Sequence, residues 1–219
     1  THFFNHSPII FEILSRRIIE RSWFPSVNRP GFHTTRPDSH WFLEQFIPFD
    51  LSNQASEEDY SAQKDLSDGR YGDWRRAPRN WTPYHPHHDD YQLQGDCRRW
   101  IGRCLNIGTR VRLLTANEID IAFQQAGKGE PVILAVTNHD FRDLGPDIEG
   151  VRNLIAAALQ RHQNTKLKYC EAREAFRLAL ELPNEKPVNF KLTIIGNQIE
   201  IRADKETFGP QPFLALKTK

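Results

Sequence analysis

His139 and Asp140 stand just beyond a continuous apolar run, Val132-Ile-Leu-Ala-Val136, with Arg142 and Asp143 close behind. An imidazole beside carboxylates is oriented and kept cationic, which suits a general acid or a metal ligand. Arg29 precedes Pro30-Gly31, where the chain must turn sharply, so its guanidinium is placed to enter a cleft and pair with a carboxylate or a substrate oxygen. The densest polar cluster is Tyr84-His85-Pro86-His87-His88-Asp89-Asp90-Tyr91. Such a cluster has the donors for a transition metal, but consecutive ligands on a proline-containing segment point in different directions. Its aromatic surroundings, Trp81, Tyr84, Tyr91 and Trp100, fit sugar rings and simple core packing equally well, with His85 and its neighbours able to bond hydroxyls. Glycine-rich phosphate loops, a G-x-S-x-G elbow and C-x-x-C pairs do not occur, which sets aside P-loop and thiol chemistry.

These groups need a scaffold. A chain of 219 residues, 38% of them hydrophobic, makes one sizeable domain, or one domain with a small appendage. A net charge of +1 excludes a broadly basic nucleic-acid binder. No apolar run, Val132–Val136 included, approaches the ~20 residues that cross a bilayer, and the N-terminus lacks a signal-peptide pattern. The expectation is a soluble chain. Cys97, Cys104 and Cys170 are odd in number and lack metal-site spacing, which favours reduced thiols and a cytoplasmic setting over a disulfide framework. The sequence contains no methionine, so either a processed product or an incomplete segment of a longer protein is expected.

Helix signals run over Pro8–Glu20, with Ser7 as N-cap, and over Ser39–Phe46. Residues 50–100 read as a long irregular excursion whose tryptophans, Trp74 and Trp81, need a surface to pack on. Cys104–Leu114 alternates as a strand, and Thr115-Ala-Asn-Glu118 is a capping box opening a helix that Gly127 closes. Val132–Val136 reads as a strand buried on both faces, Asp147 as the cap of the next helix, Lys166–Cys170 as a strand and Glu171–Leu182 as a helix. This βα alternation predicts a parallel sheet or barrel, whose ligands bind at the carboxyl ends of its strands, where His139 would stand. Val188–Ile195 and Gln198–Ala203 flank Gly196-Asn197 as a hairpin, with Phe213–Leu216 as a third strand.

Thr1-His2 with its aromatic pair, Asn28-Arg29-Pro30-Gly31-Phe32, the Pro83-Tyr84 stretch and Thr137-Asn138-His139-Asp140 occur in the order found in polysaccharide deacetylases, the NodB-like carbohydrate esterases. Residues 1–184 thus resemble that family, with 185–219 as a small antiparallel β appendage. The resemblance implies a distorted (β/α) barrel and a divalent metal, usually zinc, that assists hydrolysis of an acetamide on a glycan. Carried over by residue, it makes His2 a metal ligand, Arg29 the arginine that orients the catalytic base, and His139 the acid that protonates the leaving amine, with Asp140 beside it. The pattern departs in two places: the first-strand Asp-Asp motif and first metal histidine, expected ahead of His2, are not found there, and the arginine motif reads R-P-G in place of R-x-P-Y.

The expected function is therefore metal-dependent deacylation of a glycan. One rival is a non-catalytic carbohydrate-binding or assembly protein using Trp81, Tyr84, His85 and Trp100, and another is a metal-binding module on His85, His87 and His88.

Overall fold

The computed structural model describes residues 3–57, 71–109, 111–139, 141–184 and 186–217. Four parallel strands, β1 (Val27–Asn28), β2 (Phe49–Asn53), β3 (Trp100–Asn106) and β4 (Ala135–Thr137), lie side by side in chain order and curl into a half-barrel. Parallel neighbours need a crossover between them. α2 (Pro37–Phe46) joins β1 to β2, residues 54–99 connect β2 to β3, and α3 (Ala116–Gly127) joins β3 to β4. α1 (Ser7–Arg21) precedes the sheet, and α4 (Gly145–Arg161) and α5 (Ala172–Ala179) follow it. β5 (Phe190–Ile195) and β6 (Gln198–Ala203) form the expected separate hairpin, turning at Gly196 with φ +58°. Because all three neighbouring pairs are parallel, every strand of the half-barrel ends on the same rim.

Alternate side chains of β2 and β3 face two different environments. Phe49, Leu51 and Cys104 pack against Phe176 of α5, with the Phe49 and Phe176 rings stacked 4.7 Å apart. Leu105 instead joins Trp81, Ile119, Phe123, Ile155 and Ala158 in the core that α3 and α4 close. Fully burying one such side chain contributes about 1.5–3 kcal/mol. α1 and α2 meet through Leu14, Phe42 and Leu43.

Several boundaries differ from expectation, each for a visible reason. β2 lies inside the stretch read as irregular, because Asp50, Ser52 and Asn53 are polar yet buried in the sheet, which hides the strand pattern. Its register with β3 shifts between Asp50 and Asn53, where Asp50 Oδ1 accepts from the Ser52 N–H at 2.9 Å in place of a regular ladder. The Cys104–Leu114 strand is cut at Asn106: Gly108 turns at φ +63°, and the Leu114 N–H returns to the Asn106 carbonyl at 2.8 Å. Of the stretch after Pro131 only Ala135–Thr137 is strand, and it is not buried on both faces, since Val136 is exposed. Lys166–Cys170 forms none, for a cavity of ≈ 520 Å³ opens between it and the β4 segment, and only Leu167 reaches the α3–α4 core.

The ends of the helices shift as well. His6, not Ser7, occupies the N-cap of α1, and the Ser7 hydroxyl turns back to the Phe4 carbonyl at 2.9 Å. α4 starts ahead of Asp147, whose carboxylate is committed to Asn138 and Arg142. The tail around Phe213 adds no strand; its ring stacks on Phe11 at 5.4 Å. Among the described residues no helix is long and apolar enough to cross a membrane.

Candidate functional site at the carboxyl rim

Each strand end delivers polar groups to the rim. After β1, Pro30 stops the ladder and the Gly31–His33 turn follows, with Phe32 and His33 both left-handed at φ 53° and 49°. Two adjacent non-glycine residues in this region cost of order 1–3 kcal/mol each and persist only where surroundings over-determine them. Here the Gly72 N–H donates to the Phe32 carbonyl at 3.1 Å, and the Trp74 indole donates to the His33 carbonyl at 2.8 Å. The turn buries the His33 ring, which lies 3.2 Å from the Ser52 carbonyl through Nδ1 and 3.3 Å from Arg29 Nη2 through Nε2. Burial, and then the Arg29 guanidinium, push the His33 pKa down to about 3. Arg29 itself is half-buried, burial lowers its pKa, and its Nε–H has no hydrogen-bond acceptor among the described residues.

Beyond β2, buried Gln54 accepts from Arg112 Nη1 at 2.7 Å while its own amide nitrogen has no acceptor among the described residues. Arg112 comes from the tight loop after β3, with its guanidinium 5.2 Å from the Tyr71 ring centre. Asn106, the last residue of β3, ties that loop down by donating to the Val111 carbonyl at 2.9 Å, and its side chain also reaches His33. The same loop touches the β4 end. The Ile107 N–H bonds the Thr137 carbonyl at 2.9 Å, and the Cα of Gly108 approaches Arg142 and Asp147. A Cβ at Gly108 would collide with both side chains and hold a residue at φ +63°. Gly108→Ala should therefore lower unfolding stability by about 1–2 kcal/mol. Urea unfolding checks this, and an unchanged midpoint would refute the close packing.

The β4 end carries His139. Asn138 donates to Asp147 Oδ2 at 2.8 Å and accepts from the His139 N–H at 2.7 Å, while Arg142 also bonds Asp147. His139 is exposed, its ring 5.1 Å from that of Phe141. The β1 and β4 ends are thus two parts of one rim, linked through the loop after β3. The rim holds a braced guanidinium at one end and an exposed imidazole at the other.

The remaining sequence candidates are elsewhere or unplaced. His2 and Asp140 lie outside the described residues. Trp81 is fully buried, its indole donating to the Glu118 carbonyl at 3.0 Å and its face covered by the Arg103 guanidinium at 4.7 Å. Tyr84 is buried too, its hydroxyl donating to the Tyr91 carbonyl at 2.8 Å. Neither offers a face to a sugar, because the core has taken both rings. His85 and Trp100 remain half-buried, with ring centres 3.6 Å apart. The histidine cluster does not converge: His85 Nδ1 is turned to the Arg99 carbonyl, His87 Nδ1 accepts from the Asp89 N–H, and His88 pairs with Asp89. No group of three metal-ligating side chains exists among the described residues.

His33, Gln54, Asn106 and Arg112 escaped the sequence reading. The Pro-Gly turn marked the place of His33, but only the fold brings the other three to it. Compared with known proteins, the chain matches no family model, and no curated protein or solved structure shows significant similarity to it.

Proposed function

We propose that the chain contributes to a metal-dependent hydrolase that removes N-acetyl or other acyl groups from a glycan. The reading rests on the family resemblance, and one observation supports it: Arg29 and His139 follow the first and last strands of the parallel sheet onto the same rim. Hydrolysis replaces the amide C–N bond by a C–O bond from water, and the departing nitrogen needs a proton. His139 is the exposed imidazole at the rim that would give it. Arg29 would supply a fixed positive charge to orient an acceptor oxygen. The resemblance implies a divalent metal, expected to be zinc, with His2 as one ligand. The described side chains do not assemble a site for it, so the roles assigned are those of the chain's own proton donor and cation.

The test is acetate release from N-acetylglucosamine oligomers by the full-length protein, with its bound zinc measured alongside. The expected result is stoichiometric metal and a loss of at least about 10²-fold in kcat/KM in His139→Ala. An unaffected variant in a metal-free protein would overturn the reading. Glycan binding without acetate release would point to the non-catalytic reading, for which the half-buried His85–Trp100 pair is the remaining aromatic surface among the residues first singled out.

A further inference from the structure

The hydrogen-bond partners of His33 determine its tautomer. The Ser52 carbonyl 3.2 Å from Nδ1 only accepts, so Nδ1 carries the hydrogen. The Arg29 guanidinium 3.3 Å from Nε2 only donates, so Nε2 presents its lone pair. With these two partners the neutral Nδ1–H form satisfies both ring nitrogens; the Asn106 side chain, which also reaches the ring, favours the proton but is outweighed by burial and Arg29. Protonation would set two donors, Nε2–H and Arg29 Nη2–H, against each other, with Arg112 adding a second cation facing the ring.

The backbone around the ring is arranged to keep it there. Phe32 and His33 hold left-handed conformations, and the bonds from Gly72 and Trp74 brace them against relaxing. A surface arginine at a turn would need no such support. The support instead places a buried acceptor beside a half-buried guanidinium whose Nε–H meets no acceptor among the described residues.

We propose that His33 is a positioning residue: a neutral imidazole, bonded to the Ser52 carbonyl, that grips the Arg29 guanidinium through Nε2 and leaves its Nε–H for a ligand oxygen of the carbonyl or carboxylate class. The grip is a property of the fold, whereas its consequence for turnover rests on the hydrolase reading. A misplacement of about 1 Å at a reacting group costs as much as about 10²-fold in rate.

Two kinds of measurement decide it. Nitrogen-15 spectroscopy of the full-length protein should show His33 neutral and protonated on Nδ1 from pH 8 to about pH 4, the interval over which its depressed pKa keeps it uncharged. An Nε2–H tautomer, or titration near the ordinary histidine value, overturns the proposal whether or not the protein is a hydrolase. In the acetate-release assay, His33→Leu should lower kcat about 10- to 100-fold with KM little changed, and Arg29→Gln should mask that loss. His33→Gln, which keeps an acceptor at the ε position, should recover most of the rate. Additive losses in the double variant, or a His33→Gln as impaired as His33→Leu, overturn the role in turnover. Thermal unfolding of each variant separates these losses from failure to fold, and where His33→Leu does not fold, His33→Gln and the tautomer decide. If the unaltered protein releases no acetate, the hydrolase reading fails while the spectroscopic test of the grip stands.

Discussion

Glu118→Ala should destabilise the protein by about 3–5 kcal/mol, the cost of leaving one member of a buried ion pair without the other. Arg103 and Glu118 form two parallel bonds of 2.5 Å, Nη1 to Oε2 and Nη2 to Oε1, with side chains 1% and 9% exposed. Arg103 is committed on its remaining sides as well: Nε donates to the Ala55 carbonyl at 2.7 Å, and the guanidinium lies over Trp81. It therefore has no route to water when the carboxylate is removed. Since a domain of this kind is stable by about 5–15 kcal/mol, the variant should populate unfolded chains or unfold in far less urea. The apolar double variant Arg103→Met with Glu118→Leu should recover much of the loss, because it removes both charges together. A loss under 1 kcal/mol in Glu118→Ala would show that water reaches the pair.

Glu118 also shows how the sequence was legible in part. The Thr115–Glu118 capping box places the helix start correctly, and the Thr115 hydroxyl accepts from the Glu118 N–H at 3.3 Å. The reciprocal half is diverted, because the carboxylate reaches a buried arginine on β3 that local spacing does not reveal. The same division runs through the molecule. Helix positions and the Gly196-Asn197 hairpin depend on neighbours in sequence, and the chain shows them. β2 depends on partners far away: Asn28 donates to Asp50 Oδ1 at 3.2 Å, and the Asn53 side chain donates to the Pro78 carbonyl at 2.9 Å. With those partners out of view, Asp50-Leu-Ser-Asn53 reads as loop. At the rim, the positions of Arg29 and His139 were legible because a turn and a strand end announce themselves. His33, Gln54 and Arg112 were not, since what makes them a cluster is the adjacency of three strand ends.

Acid should destabilise the protein through two histidines. His40 repeats the arrangement of His33 on α2: its Nε2–H donates to the His88 carbonyl at 3.1 Å, and Nδ1 accepts from Arg99. Burial is the leading cause in both, followed by the adjacent guanidinium, and the pKa falls to about 3 for His33 and about 4 for His40. A group whose folded pKa lies below its unfolded value takes up a proton more readily when unfolded. Its cost is therefore absent above about pH 6.5, grows as pH falls, and levels off near the folded value. At pH 5 each ring should cost about 2 kcal/mol relative to pH 7, or about 4 kcal/mol together. Asp50 works in the opposite direction, because burial raises its pKa despite Arg99 Nε 3.4 Å from Oδ2. Its contribution is common to the unaltered protein and to a His33→Gln, His40→Gln double variant, so the comparison between them isolates the rings. Urea unfolding at pH 7 and pH 5 should show a steep loss in the unaltered protein and a loss about 4 kcal/mol smaller in the double variant. Equal losses in the two would mean that both rings already carry their protons in the fold. Neutral imidazoles beside Arg29 and Arg99 would then have no part in holding those guanidinium groups.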